Sequence, residues 1–288
     1  MRTLIQNYTS AISTEAMYIE RCLLESGEQA QLWANPELSA FDAFDTVNPD
    51  LFITHYTLLT HDIIKYLSSK PSISTAMNIT GATEEDISKI EDLCSNIDLP
   101  ILFTNLYETA NRVESKKIKT ITLYPAADIF LPPIATPDFS IQSCVLSIQK
   151  NDLYDTKLKD IKTYHKLSLN PQADYGDMSL DIASVRSFYD KYEEVVLADD
   201  INFVTSQVLF DSILGAKKVS LEVFPHQREA LDKILAELFI QQETDDIADL
   251  IKSQVKNRHN CFKRCARLFR SLKSEDVALK MEGISSKL

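Results

Sequence analysis

The feature of this sequence that most limits its fold is a repeated alternation of short apolar runs with amphipathic segments. Leu51–His55 (LFITH) and Glu194–Leu197 are apolar runs, whereas Thr14–Leu24 carries its apolar residues at helical spacing. Nearly continuous apolar strands that alternate with helices are typical of parallel sheets covered by helices. The alternation runs from Thr3 to Leu123 and starts again at Ser140, so the sequence predicts two Rossmann-like α/β domains.

A cluster of prolines marks the predicted boundary between these domains. Four of the ten prolines fall between residues 125 and 137, and proline interrupts both helices and central strands. The 288 residues are enough for two ordinary domains. We therefore predict an N-terminal domain over residues 1–137, a second domain over 138–245, and helices over 246–288, where strand patterns are missing.

Charge is distributed unevenly along the chain. Ten Lys/Arg and three Asp/Glu give residues 251–288 a charge of +7, so the rest carries −19 within a net charge of −12. An acidic body repels nucleic acids and anionic membranes at long range, and the basic tail is the segment that could attract them. Its apolar positions favour a helix that packs back across both domains instead: Val255, Cys261, Phe262, Cys265, Leu268, Phe269 and Leu272.

Neither a membrane span nor a secretory signal is expected. The apolar runs are shorter than the roughly 18–20 residues that cross a bilayer, and the N-terminus turns polar after five residues. The five scattered cysteines fit free thiols in a reducing compartment better than a disulfide framework. These features predict a cytoplasmic protein.

Polar residues follow most of the predicted strands. Ligands of open α/β sheets bind at the carboxyl ends of the strands, and a polar ligand in a cleft between the two domains would meet these residues there. In the first half they are Asn7, Tyr8, Thr9, Asn35, His55, Tyr56, Asn78, Thr80 and Asn105, and in the second half Asn170, Gln172, Asp174, Asp199, Asp200, Ser206, Gln207, Asp211 and Glu222. For any single residue, a solvated loop or a helix cap is the alternative.

Several ligand classes are disfavoured by missing motifs. With only five glycines, the chain has neither the glycine-rich dinucleotide fingerprint nor the P-loop. A nucleophile elbow and a metal-ligand cluster are also missing. Asp199-Asp200 could hold a divalent cation, but such a pair more often forms a turn or caps a helix. We predict neither a metal nor a tightly bound cofactor.

Four segments in succession resemble GT-B glycosyltransferases, particularly the bacterial and phage enzymes related to CgeB-like spore-coat proteins. They are NPDLFITHY, ILFTNLYETANRV, ITLYPAADIFLPP and the long segment over residues 177–223. The resemblance covers most of residues 1–240. Where many members carry a Glu or Asp pair around the donor helix, this chain has Ser206, Gln207 and Asp211, and Asn7-Tyr8-Thr9 replaces the usual glycine-rich turn.

The resemblance implies a hexosyl- or pentosyltransferase that uses a nucleotide-sugar donor, and a UDP-sugar is the expected donor. The second domain would bind the donor through Asn170, Gln172, Asp174, Ser206, Gln207 and Asp211. Tyr8, Thr9, Asn78 and Asn105 would line the acceptor side. His55 would be the base that takes the proton of the acceptor hydroxyl, because an imidazole titrates near neutral pH. Asp128 is the second candidate for that role.

The acceptor stays open among a glycan, a small molecule and modified DNA. A related hypothesis, motivated by the basic tail, is a phage-type glycosyltransferase that acts on modified bases of DNA. A hypothesis from another class is a non-catalytic binding or scaffold protein that kept the fold. Binding of a sugar nucleotide would separate the enzymes from the scaffold.

Overall fold

The computed structural model describes residues 1–7, 14–94, 101–104, 120–123, 126, 141–147, 152–161, 163–166, 192–205, 207–215, 218–237 and 255–287. The chain divides into two compact units. Unit 1 comprises Met1–Tyr124 together with Cys261–Leu288, and unit 2 comprises Pro125–Asn260. The division after Tyr124 coincides with the first proline of the cluster.

Unit 1 contains a six-stranded parallel sheet. Its strands are β1 (Arg2–Gln6), β2 (Gln29–Trp33), β3 (Leu51–His55), β4 (Ser74–Asn78), β5 (Ile101–Thr104) and β6 (Thr120–Thr122). They lie in the order β2-β1-β3-β4-β5-β6. The described helices of this unit are α1 (Thr14–Glu25), α2 (Ala40–Val47), α3 (His61–Ser69) and α4 (Glu84–Cys94), and α8 and α9 (below) follow at the end of the chain.

Unit 2 contains a four-stranded parallel sheet. Strands β7 (Ile141–Ser147), β8 (Thr163–Lys166), β9 (Tyr192–Ala198) and β10 (Lys218–Glu222) lie in the order β10-β9-β7-β8. The described helices are α5 (Ile201–Val204), α6 (Gln207–Gly215) and α7 (Arg228–Glu237), and Tyr154–Leu158 forms a π-helical turn. Helix α8 (Cys261–Ser271) and α9 (Glu275–Ser285) then return the chain to unit 1.

Helices α2 and α3 cover part of the unit 1 sheet with an aromatic core. Phe44 stacks on Tyr66 with 4.6 Å between ring centroids and lies 4.8 Å from Phe52. Trp33, which is the only tryptophan of the sequence, completes this cluster and is 3% exposed. Full burial of one such side chain contributes about 1.5–3 kcal/mol, so these rings supply much of the stability here.

The apolar stripe of the basic tail packs inside unit 1. Helix α8 contacts α1 and α9, and its Cys261, Phe262, Cys265, Ala266, Leu268 and Phe269 are buried. Cys22 of α1 contacts Cys261 and Cys265, and burial followed by these two thiols raises its pKa. Cys22, Cys144, Cys261 and Cys265 are free and buried.

Two predicted helices differ from those observed. The apolar pattern predicts one helix over Val204–Leu214, but α5 ends at Val204 and α6 begins at Gln207. The Thr205 hydroxyl donates to the carbonyl of Ile201 at 2.6 Å, and such back-bonding competes with helix continuation. The predicted helix over Leu153–Lys162 contains the π-helical turn Tyr154–Leu158, where the Thr156 hydroxyl donates to the carbonyl of Asp152.

Candidate functional site

Each sheet has one place where the strand order reverses, and ligands of open α/β sheets bind at such places. In unit 1 the chain passes from β1 outward to β2 and then returns to β3 on the other side of β1. In unit 2 the same reversal occurs between β7 and β9. The carboxyl ends of β1 and β3, and of β7 and β9, are therefore the two candidate regions.

Gln6 joins the ends of β1 and β3. Its Oε1 accepts a hydrogen bond from the hydroxyl of Thr54, and its Nε2 donates to the carbonyl of Leu58 at 3.2 Å. Gln6 is 4% exposed and Thr54 is 2% exposed. Both functions of the Gln6 amide are thus used to fix β3 and the 3₁₀ turn Tyr56–Leu58 against β1.

Asn7, the next residue, is in a different situation. Its backbone N–H donates to the carbonyl of Trp33 at 2.9 Å, which holds it beside the end of β2. Its side chain is buried, with 4% of the residue exposed, and among the residues that the structure describes its Nδ2 has no hydrogen-bond partner. A buried polar group without a partner costs about 1–3 kcal/mol, so this amide destabilises the fold where it stands.

His55 closes β3, and both of its ring nitrogens form hydrogen bonds. Nε2 lies 3.1 Å from the carbonyl oxygen of Thr80, and Nδ1 lies 2.8 Å from the hydroxyl oxygen of Thr57. A carbonyl only accepts, so Nε2 carries the hydrogen, and Nδ1 accepts from Thr57. Nδ1 also accepts from the backbone N–H of Thr57 at 3.4 Å, so it is the ring nitrogen that presents its lone pair to Thr57.

The ends of β4 and β5 add further polar groups beside His55. Asn78 Oδ1 accepts from the backbone N–H of Thr80 at 2.8 Å, and the hydroxyls of Thr80 and Thr104 are 3.3 Å apart. The Tyr56 hydroxyl donates to the carbonyl of Gly81, and burial and then the Asp86 carboxylate raise the pKa of Tyr56. These groups are uncharged at neutral pH.

Helices α2, α3 and α4, which begin at this edge of unit 1, have capped N-termini. In α2 the Ser39 hydroxyl accepts from the N–H of Asp42, and in α3 the Thr60 hydroxyl accepts from Ile63. In α4 Thr83 and Asp86 cap each other, with Asp86 Oδ2 3.0 Å from the Thr83 nitrogen. Each first turn carries at least one carboxylate. This arrangement disfavours anions, because the amides are occupied and the charges repel.

In unit 2, Ser147 and Asp199 lie at the ends of β7 and β9, and both are buried. The N–H of Asp199 donates to the carbonyl of Glu222, and Asp199 Oδ1 accepts from the N–H of Asp200 at 2.8 Å. The Gln227 side chain accepts from the N–H of Ile201, which begins α5. Asp199 therefore serves at least as a turn-forming residue between β9 and α5.

The remaining predicted site residues are placed only in part. Gln207 begins α6 and Asp211 lies in its second turn, and the first turn of α6 contains no acidic residue. The other predictions lie outside the described residues: Tyr8, Thr9, Asn105, Asp128, Asn170, Gln172, Asp174 and Ser206. In unit 1 the structure thus links His55 and Asn78, because both form hydrogen bonds with the backbone of Thr80.

Sequence reasoning missed Gln6, Thr54 and Thr57. The first two are polar residues at the last positions of apolar strands, Gln6 in β1 and Thr54 next to the end of β3. That position is a usable signal, because a polar side chain on a buried strand needs a partner. The partners themselves depend on which strands are neighbours, which the sequence alone does not give.

Comparisons with known proteins find likeness at the level of the fold. No family model matches this sequence, and no curated protein sequence matches it. The DNA-modifying enzyme beta-glucosyltransferase, solved in the presence and absence of its substrate uridine diphosphoglucose, superposes with a TM-score of 0.53 at 8% identity. That match covers 95% of this chain and 100% of the other.

Two further solved structures match less well. The calicheamicin glycosyltransferase CalG4 has a TM-score of 0.38 at 11% identity over 99% of this chain and 98% of its own. S. aureus MnaA in complex with UDP has a TM-score of 0.46 at 10% identity, and the match covers 95% of this chain and 98% of MnaA. The likeness to beta-glucosyltransferase confirms the predicted fold, which is two parallel α/β sheets of the GT-B type.

Within the described residues, none of the helices combines the length and the apolar character needed to cross a bilayer.

Proposed function

We propose that this protein is a glycosyltransferase that moves a sugar from a nucleotide-sugar donor to an acceptor hydroxyl. The observation that carries the proposal is the fold match to beta-glucosyltransferase, whose substrate is uridine diphosphoglucose, over the full length of that enzyme. The two places of strand reversal, each with buried polar side chains, support it. A UDP-sugar is the proposed donor.

The donor is proposed to bind in unit 2. A pyrophosphate needs positive charge or free helix N-terminal amides, and the first turn of α6 carries no carboxylate to repel it. The residues proposed to contact the donor are Asn170, Gln172, Asp174, Ser206, Gln207 and Asp211. Asp174 would accept bonds from the ribose hydroxyls, and Asp211 would contact the sugar or the ribose.

The acceptor is proposed to bind in unit 1, with His55 as the base. Only Nδ1 has a lone pair for a proton, because Nε2 donates to the carbonyl of Thr80. The acceptor hydroxyl would therefore take the place of the Thr57 hydroxyl on Nδ1. Tyr8, Thr9, Asn78 and Asn105 are the other proposed acceptor-side residues, and Asp128 is the alternative base.

A second candidate is a glycosyltransferase that acts on modified bases of DNA. The observation in its favour is that beta-glucosyltransferase is DNA-modifying, and α8 carries Lys263, Arg264, Arg267 and Arg270. Arg270, however, forms ion pairs with Glu275 and Glu282, at the start of and within α9. This use of a basic side chain in helix packing favours the structural role of the tail.

One ligand screen tests the proposed function. Thermal unfolding is followed by calorimetry with UDP-, GDP-, ADP- and CMP-sugars, and a donor at 100 times its Kd should stabilise the protein by about 2.7 kcal/mol. Slow release of the sugar from the bound donor would support an enzyme. If no sugar nucleotide binds, the proposal fails and the scaffold hypothesis gains. Duplex DNA binding that weakens steeply with salt would favour the DNA-modifying candidate.

A further inference from the structure

We propose that the carboxyl end of β1 binds an uncharged, hydroxyl-bearing part of the acceptor and that the Asn7 side-chain amide selects it. The proposal rests on the glycosyltransferase function for calling this ligand the acceptor. The binding site itself follows from the structure of unit 1. Three observations carry it, namely the Asn7 amide, the uncharged residues at the described strand ends of unit 1, and the capped N-termini of α2, α3 and α4.

The first observation is the contrast between Gln6 and Asn7. Both are buried amides at the end of β1, at the reversal of strand order. The Gln6 amide bonds through both its Nε2 and its Oε1, to Leu58 and Thr54, whereas within the described part of the chain the Nδ2 of Asn7 has no partner. Buried donors are almost always hydrogen-bonded in folded proteins. A donor left without a partner at a ligand-binding edge calls for an acceptor atom on a ligand.

The second observation is the absence of charge at the described strand ends of unit 1. The residues there are Gln6, Asn7, Asn35, Thr54, His55, Asn78, Thr80 and Thr104, and Lys, Arg, Asp and Glu are missing among them. A buried or half-buried phosphate or carboxylate would need a cation to offset its desolvation. Hydroxyl, carbonyl and amide groups of a ligand have no such requirement.

The third observation is that helices α2, α3 and α4 do not offer their amides to an anion. The side chains of Ser39, Thr60 and Thr83 each accept from one amide of the first turn, and the carboxylates of the first turns would repel negative charge. Helix α6 of unit 2 lacks such a carboxylate. The two units therefore differ in the charge that they accept, and unit 1 suits a neutral ligand.

The first test measures the stability of unit 1. Trp33 reports unfolding of this unit, because it is the only tryptophan and is buried in its core. Asn7→Leu replaces the unpartnered amide with an apolar group of similar shape and should raise Tm by about 2–4 °C. The matched control is Asn78→Leu, at the end of β4, which should lower Tm because Asn78 Oδ1 bonds to the N–H of Thr80. A fall in Tm for Asn7→Leu as large as that for Asn78→Leu would overturn the proposal.

The second test observes the amide directly. In a proton–nitrogen NMR spectrum the Asn7 side-chain signal is assigned as the one that Asn7→Leu removes. The probes are methyl glucoside and cytidine, against glucose 6-phosphate and cytidine 5′-monophosphate. The neutral probes should shift this signal and lose about tenfold in affinity in Asn7→Leu, while the phosphorylated probes should leave it unmoved.

The outcomes separate this proposal from the proposed function. A shift caused by the phosphorylated probes alone, or by none of the four, overturns the neutral acceptor site. UDP is added to the same samples as a control that does not depend on Asn7. If UDP fails to bind while a neutral probe shifts the Asn7 signal, the glycosyltransferase assignment fails and the binding site stands.

Discussion

His55→Ala is the substitution that most directly tests the proposed chemistry. The change removes the hydrogen bond from Nε2 to the carbonyl of Thr80 and the acceptor at Nδ1 for Thr57. Each such bond contributes about 0.5–1.5 kcal/mol, and His55 is only half-buried. We therefore expect unit 1 to lose about 1–2 kcal/mol, measured by urea unfolding with Trp33 fluorescence.

The effect of His55→Ala on turnover should exceed its effect on stability. A general base typically contributes about 10²–10⁴-fold, so kcat at saturating donor should fall at least about a hundredfold, with donor affinity nearly unchanged. His61→Ala is the matched control, because His61 is exposed at the first position of α3. It should change neither quantity appreciably.

Thr57→Val distinguishes a base from a histidine that is only a structural residue. The valine removes the hydroxyl that occupies Nδ1 while keeping the shape of the side chain. If His55 is the base, kcat should be kept or rise, although stability falls slightly. Near-normal kcat in folded His55→Ala would refute the assignment, and Asp128 would become the next candidate.

Two further substitutions test how unit 1 is held together. Burial raises the pKa of Glu28, but bonds from Lys280 and the N-terminal ammonium outweigh this effect and leave its pKa below 4.5. Lys280→Met should therefore lower the free energy of unfolding by about 1 kcal/mol at pH 7. The difference between variant and parent should disappear when the pH falls below the lowered pKa of Glu28, because the carboxyl group is then protonated. Unfolding measured at several pH values checks this. Gly81 has φ +81° and accepts from Tyr56, so Gly81→Ala should cost about 1–2 kcal/mol and reduce kcat. Gly27→Ala, at φ +76°, should lower stability by the same amount and leave kcat unchanged. An equal loss of kcat in the two variants would contradict the assignment of the acceptor site to the Gly81 edge of the sheet.

Most strands could be predicted because their apolar runs are local. The run that ends at His55 predicted β3 with its last residue, and Ala30–Trp33 predicted β2 to within one residue. The helix over Val204–Leu214 was wrong in its bounds, because periodicity does not register the back-bond from Thr205 to Ile201. Periodicity describes which face is buried, and it says little about where a hydroxyl interrupts a helix.

The site could be predicted only as an edge of the sheet. The polar residues after each strand gave His55 and Asn78 as candidates, and both lie where ligands of such sheets bind. The hydrogen bonds of the Gln6 amide could not be predicted, since its partners Thr54 and Leu58 lie about fifty residues away in the chain. The tautomer of His55 likewise depends on Thr80, 25 residues later in the chain.

The division of unit 1 between two distant parts of the chain has a consequence for biosynthesis. The apolar face of α1, with Ile19, Cys22 and Leu23, is covered by α8, which begins at Cys261. A ribosome that adds about 5–20 residues per second needs roughly 10–50 s to pass from one to the other. During that interval the nascent chain presents this face without its partner. Unit 2, which is complete at Asn260, can therefore finish folding before unit 1 does.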